Sequence, residues 1–237
     1  MENLPKHIAV IPDGNRRWAK KKGLSPWLGH RAGVKSFEKI LELVRDLGIH
    51  CFTFWAGSYD NLTKRSDAEI RFLKEIYKIN FQRLLKHKDI YRLKVRVNAF
   101  GRWPELFSDR IKKPIIEVIE KTKNHNQRFF NFLIGYNGTD EMTEAIAGIV
   151  NQSKTDQTLK VTSQLIKSHL WTKDLPPVDL VIRTGSASDP HFSNGFMMWD
   201  VADSQFHFTE TFWPDFSQEE FLKALENYSK RERRMGA

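Results

Sequence analysis

His7-Ile8-Ala9-Val10-Ile11-Pro12-Asp13-Gly14-Asn15-Arg16-Arg17-Trp18-Ala19 is an apolar run that breaks at Pro-Asp-Gly-Asn and continues as a basic segment. A continuous apolar stretch bounded by turn residues reads as a buried strand. It delivers one carboxylate, two residues tolerant of tight turns and two guanidiniums to one point. Those are the parts of a phosphate site that also takes a metal.

Outward from this stretch, helix and strand patterns alternate. Val34, Phe37, Ile40, Leu41, Val44 and Leu47 repeat at helical spacing between Arg31 and a terminating Gly48, with His30 opening this second helix after Gly29. Cys51 to Ala56 reads as the next buried strand. A helix between two strands predicts a right-handed crossover and a mainly parallel sheet. Ser66-Asp67-Ala68-Glu69 has the form of a capping box, opening a helix with Leu73, Tyr77, Phe81 and Leu84 on its apolar face. Val95 to Phe100 alternates as a strand. A helix from Pro104 to Lys123, kinked or divided at Pro114, follows, then a strand from Phe129 to Tyr136. Gly138 precedes a helix to Asn151, and a short helix covers Ser163 to Leu170. Strands at Asp179–Ile182 and Phe206–Phe208 come next, and a capping box at Ser217–Glu220 opens the last helix. The expectation is one α/β domain, a central mostly parallel sheet covered by helices.

The chain has 237 residues, 40% of them hydrophobic, and a formal charge of +9. That charge suits nucleic acid, anionic membranes or small polyanions alike, and no nucleic-acid motif accompanies it. The single cysteine, Cys51, lies in an apolar run, which excludes a disulfide framework and a cysteine metal site and points to the reducing cytoplasm. No run approaches the roughly 18 apolar residues of a membrane span, which leaves peripheral membrane contact open.

Ligands of open parallel sheets bind beyond the carboxyl ends of the strands. Three loops there are polar: Asp13 to Arg17, Ser58-Tyr59-Asp60-Asn61 with Arg65, and Arg183-Thr184-Gly185. Asp13 read alone is as much a helix cap as a ligand. Beside a phosphate cradle it is enough for Mg²⁺, which needs few protein carboxylates when phosphate oxygens and water complete its shell. Arg183 leaves an apolar strand where an isolated charge is costly to bury. His30, His191 and His207 are scattered, with no zinc spacing, and no Walker loop, nucleophile elbow or dinucleotide fingerprint is present.

Together with Gly29-His30-Arg31-Ala32-Gly33, Asp179-Leu180-Val181-Ile182-Arg183-Thr184-Gly185, Trp213-Pro214-Asp215-Phe216 and Arg231-Glu232-Arg233-Arg234-Met235-Gly236, the opening stretch resembles the cis-prenyltransferases, the undecaprenyl diphosphate synthase family. The resemblance implies a homodimer with a six-stranded sheet and an apolar tunnel. It also implies Mg²⁺-assisted condensation of an allylic diphosphate with isopentenyl diphosphate, forming a cis double bond and releasing diphosphate. Carried over, Asp13 is catalytic and holds the metal, while Gly14, Asn15, Arg16, Arg17, Trp18 and His30 bind the allylic diphosphate. Ser58, Tyr59, Asp60, Leu62 and Arg65 form the group around catalytic Asn61, the participant in proton removal. Arg183, His191 and Ser193 hold isopentenyl diphosphate, Arg234 and Gly236 complete the site across the dimer, and Gln205 takes the place of a metal-associated glutamate.

Four departures from the family pattern bear on function. Pro26 stands for an arginine, Ser186 to His191 replaces a shorter Gly-Glu-x-Arg segment, Gln205 is neutral, and Gly195 lengthens the spacing after Asn194. They leave two other readings open: irregular coupling of two allylic diphosphates, and a noncatalytic subunit that binds prenyl diphosphates.

Overall fold

β1 (His7–Ile11) is buried at every residue. Ile8 and Val10 enter one core cluster, and Ala9 and Ile11 enter a second on the opposite face. This period of two is what a strand covered on both sides requires. The computed structural model describes residues 3–231. Arg234 and Gly236 lie outside the described residues.

After β1 come α1 (Asn15–Lys21), α2 (Pro26–Asp46), β2 (Cys51–Gly57), α3 (Tyr59–Thr63), α4 (Asp67–Lys86), α5 (Lys88–Arg92) and β3 (Val95–Phe100). The chain continues through α6 (Trp103–Leu106), α7 (Asp109–Thr122), β4 (Arg128–Ile134), α8 (Gly138–Ser153), α9 (Ser163–His169), β5 (Leu180–Arg183), β6 (Gln205–Phe208) and α10 (Gln218–Ser229). The six strands form one sheet in the order β3-β4-β2-β1-β5-β6, and every pairing is parallel. The carboxyl ends of all strands therefore meet on one edge. Residues from α2, α4, α7 and α10 pack on one face around Phe52, Phe130 and Trp213. Leu175, Val178, Phe196, Met197 and Val201 cover the other.

Several boundaries differ from the sequence reading for local reasons. α2 starts at Pro26, with Pro at its first position and Ser25 extended before it, so His30 lies inside the helix instead of opening it. The 104–123 region divides at Phe107 and Ser108, which are both extended, before α7 starts at Asp109. Pro114 stays inside α7. The carbonyl it leaves unbonded belongs to Arg110, in the exposed first turn, where water can satisfy it. The box at Ser217 is complete. At Ser66 only half forms, because the Glu69 carboxylate turns to other partners, whereas Ser58 and Asn61 make a full box at α3 that the sequence reading did not anticipate. Cys51 is buried, and burial pushes its thiol pKa up.

Candidate active site

The turn after β1 puts Asp13 at the sheet edge. Gly14 follows in the left-handed region at φ 102°, where a side chain would also run into the Phe212 ring. That turn aims the Gly14 N–H at Asp13 Oδ1, 2.6 Å away. Arg17, one helical turn on, reaches the same oxygen at 3.1 Å, and Arg183 at the end of β5 donates to Oδ2 at 3.2 Å. The Asp13 carbonyl is pinned by Thr184 Oγ1 at 2.8 Å and by the Trp213 N–H at 3.0 Å.

Arg183 is only 4% exposed. Besides Asp13 it donates to the His191 carbonyl, yet its Nε–H is buried without a hydrogen-bond partner. A buried guanidinium with an unused donor is poised for an anion, because leaving that donor unpaired costs free energy.

A second cluster bridges α2 and α4. Glu69, 4% exposed, lies 2.8 Å from His30 Nε2 and 2.8 Å from Arg65 Nη1, with Arg16 at 3.9 Å. Burial pushes the Glu69 carboxyl up, but the His30 hydrogen bond and the charges of Arg65, His30 and Arg16 outweigh it and hold its pKa below the ordinary value. Arg65 also stands 3.1 Å from His30 Nε2. At the end of β2, Ser58 Oγ accepts from the Asn61 backbone N–H at 3.1 Å and the Ser58 N–H donates back to Asn61 Oδ1 at 3.4 Å, which holds the Asn61 side chain at the start of α3.

Both clusters open on one cavity of about 930 Å³. Its mouth carries Asp13, Arg17, His30, Asn61, Arg65 and Arg183; its interior is lined by Val34, Phe54, Leu73, Ile76, Tyr77 and Phe132. Phe37, Phe81 and Phe132 close ranks at the inner end, with ring centroids 6.1 and 4.8 Å from Phe132. The described residues contain no group of three or more His, Cys, Asp or Glu able to hold a metal. A hard cation would take Asp13 and draw its other ligands from phosphate and water.

Ser193 and Asn194 reach the mouth because their turn rests on the start of α8, where the Gly138 N–H donates to the Asn194 carbonyl at 2.8 Å. A Cβ on Gly138 would lie 1.7 Å from the Gly195 carbonyl oxygen, so no side chain fits without displacing that turn. Gly138→Ala is expected to cost about 1–3 kcal/mol, lower the thermal midpoint by roughly 3–10 °C, and weaken whichever ligand Ser193 contacts. Calorimetry and separate KM values for the allylic and isopentenyl diphosphates that the family resemblance implies check this; an unchanged pair of KM values refutes the role of the turn.

The undecaprenyl diphosphate synthase family model, Prenyltransf, matches residues 11–236. The chain belongs to this family. A tritrans,polycis-undecaprenyl-diphosphate synthase (geranylgeranyl-diphosphate specific) of Pyrococcus abyssi is 37% identical over 98% of this chain and 87% of its own length. An isoprenyl transferase of Aquifex pyrophilus is 37% identical over 98% of this chain and 96% of its own. The crystal structure of lavandulyl diphosphate synthase from Lavandula x intermedia in complex with dimethylallyl diphosphate matches at a TM-score of 0.90, with 28% identity and 99% coverage of both chains. The chain is a cis-prenyltransferase by kinship, with the sheet and cavity of that fold.

Of the residues expected in a cis-prenyltransferase site, Asp13, Gly14, Asn15, Arg16, Arg17, His30, Ser58, Asp60, Asn61, Arg65, Arg183 and Ser193 share the cavity wall. Trp18 does not join them, because its indole N–H is drawn 2.7 Å to Asp215 and Lys22 covers its ring. Tyr59 lies under Arg102, 4.2 Å from the ring centroid, and Leu62 is a core residue. His191 is exposed, with its ring 2.8 Å from the Asp189 carbonyl; its backbone, not its imidazole, meets Arg183. Gln205 pairs in register with Leu180, at the amino end of β6, whereas Arg183 pairs with Phe208. In a parallel sheet that is the edge opposite Asp13, so Gln205 does not reach the Asp13 site within one chain. Glu69 is the residue missed. Its place four residues after Arg65 signalled an ion pair, but the capping pattern at Ser66 offered a competing explanation.

Proposed function

We propose that this cis-prenyltransferase joins isopentenyl diphosphate to an allylic diphosphate at the Asp13 site. The observation that carries the reading is buried Arg183, with its unused Nε–H, facing the same carboxylate as Arg17 at the head of an apolar cavity. Arg17, Arg16, His30 and the α1 N–H groups hold the allylic diphosphate, and the cavity receives its hydrocarbon. When the allylic C–O bond breaks, the electron pair leaves with the diphosphate, and these preorganised donors stabilise the charge that develops. The terminal carbon of isopentenyl diphosphate, held by Arg183 and Ser193, then bonds to the allylic carbon. One proton is lost to a phosphate oxygen. Asn61 orders that acceptor, since a carboxamide is too weak a base to keep the proton. Asp13 would hold Mg²⁺, which when bound would supply electrophilic help to the leaving diphosphate.

Two further features belong to the proposal. β6 is an edge strand whose Phe206 packs edge-to-face with Phe192, ring centroids 4.8 Å apart; pairing with a second copy would cover this edge and form the homodimer. No described helix is long and apolar enough to cross a membrane, and a lone buried cysteine suits a cytoplasmic enzyme. One observation favours irregular coupling of two allylic diphosphates: a second Arg183 donor is occupied by its own loop, where His191 turns away from the mouth.

The deciding experiment is a product assay with Mg²⁺ and dimethylallyl, geranyl or farnesyl diphosphate, each with and without isopentenyl diphosphate. Product only when both substrates are present is expected. Product from dimethylallyl diphosphate alone means irregular coupling, and no product from any combination means a noncatalytic subunit.

A further inference from the structure

Between Gly14 and Phe37 the chain carries seven Lys and Arg residues and no Asp or Glu. Arg16 and Arg17 serve the phosphate mouth, and Lys22 is occupied, 4.3 Å over the Trp18 ring and 4.0 Å from Asp215. The others, Lys20, Lys21, Arg31 and Lys35, are exposed and make no ion pair among the described residues. In their midst Leu24 and Trp27 each leave 39% of their surface in water. Lys20 and Lys21 end α1, just before Leu24, and Arg31 follows Trp27 by four residues on α2, hence on the same helix face. Lys20, Gly23, Leu24 and Pro26 also line the cavity, so the patch borders the opening of the active site.

We propose that this α1–α2 rim is a docking surface for an anionic bilayer. Its cations meet the negative charge of the headgroups. Leu24 and Trp27 enter the interface, where an indole places its ring in the apolar zone and its N–H among headgroups. An apolar wedge of this kind beside a row of cations matches the acyl and headgroup boundary of an anionic membrane, and the sequence carries no nucleic-acid motif. The purpose of the surface rests on the prenyl-transfer reading, because a chain grown in the cavity is apolar beyond its diphosphate and benefits from release at a lipid boundary.

The test is flotation of the full chain with phosphatidylcholine vesicles and with vesicles of equal parts phosphatidylcholine and phosphatidylglycerol. Binding to the mixed vesicles alone, weakened by salt, is expected. Trp27→Ser is expected to weaken it about fivefold or more, and the double variant Lys21→Gln with Arg31→Gln at least about tenfold, with circular dichroism unchanged. Equal binding to both vesicles, no effect of either variant, or salt-sensitive RNA binding without vesicle binding overturns the proposal. Turnover of dimethylallyl and isopentenyl diphosphates is measured on the same preparations in vesicle-free buffer. Vesicle binding without turnover supports the docking surface and defeats the functional reading; turnover without vesicle binding does the reverse.

Discussion

Asp13→Ala is expected to lower kcat by about 10²–10³ while inorganic pyrophosphate still binds. The Asp13 carboxylate receives Gly14 N–H, Arg17 and Arg183 together. Without it the two guanidiniums keep their charge but lose the carboxylate that sets their spacing. In the absence of metal, pyrophosphate loses a repelling neighbour, so its affinity is expected to stay level or rise. The chemical step loses both the ordering of the donors and the carboxylate that would hold Mg²⁺. Removing one partner of buried Arg183 also lowers stability, so Asp13→Asn, which preserves volume, separates the two effects. It should fold nearly as the parent does and remain slow. A kcat within about tenfold of the parent for both variants would remove Asp13 from the mechanism. Steady-state turnover, pyrophosphate titration and a thermal melt together make the measurement.

Glu69→Gln is expected to raise KM for the allylic substrate about 10- to 100-fold, equivalent to about 1.4–2.7 kcal/mol, with a smaller change in KM for isopentenyl diphosphate. The carboxylate touches no substrate in the proposed arrangement. It acts as a positioning residue, holding His30 of α2 and Arg65 of the turn before α4 at 2.8 Å each. Both bonds fall on Oε1, with Arg16 3.9 Å from Oε2; a glutamine that keeps its oxygen in place turns an N–H toward Arg16 and removes the negative charge that the cluster is built around. The effect also has a pH signature. Because the native pKa of Glu69 is depressed, its ionised form favours the folded state. That contribution is fully present above the ordinary glutamate range and is lost as pH falls through the lowered native value. Denaturant titrations should therefore show a stability gap between parent and variant at about pH 6 that narrows toward about pH 3. A constant gap, or equal rises in both KM values, would assign Glu69 a purely structural role.

Glu69 also shows where reading residues in order stops. Ser66 followed three residues later by Glu is a valid capping signature, and half of it forms. The other half loses to Arg65 and to His30 on α2, far away in sequence, because a buried carboxylate gains more from a guanidinium than from a backbone N–H. The same competition displaced Trp18: its spacing put it beside the phosphate turn, but a hydrogen bond to Asp215 turned it outward.

The strand, the turn and the catalytic candidates around Asp13 were legible in residue order because each depends on near neighbours. An apolar run needs burial, Pro-Asp-Gly-Asn breaks it, and the next helix carries Arg17 one turn away. Capping at Ser217 and the left-handed Gly48 after α2 are local in the same sense. What joins Asp13 to Arg183, Ser193 to Gly138 and His30 to Glu69 is set by parallel pairing and helix packing across the whole chain. Gln205 is the clearest case: its position in a motif suggested the metal, and the register of β6 put it at the other end of the sheet. Spacing along a chain specifies which face and which turn a side chain occupies, but distance between elements belongs to the packing that buries them.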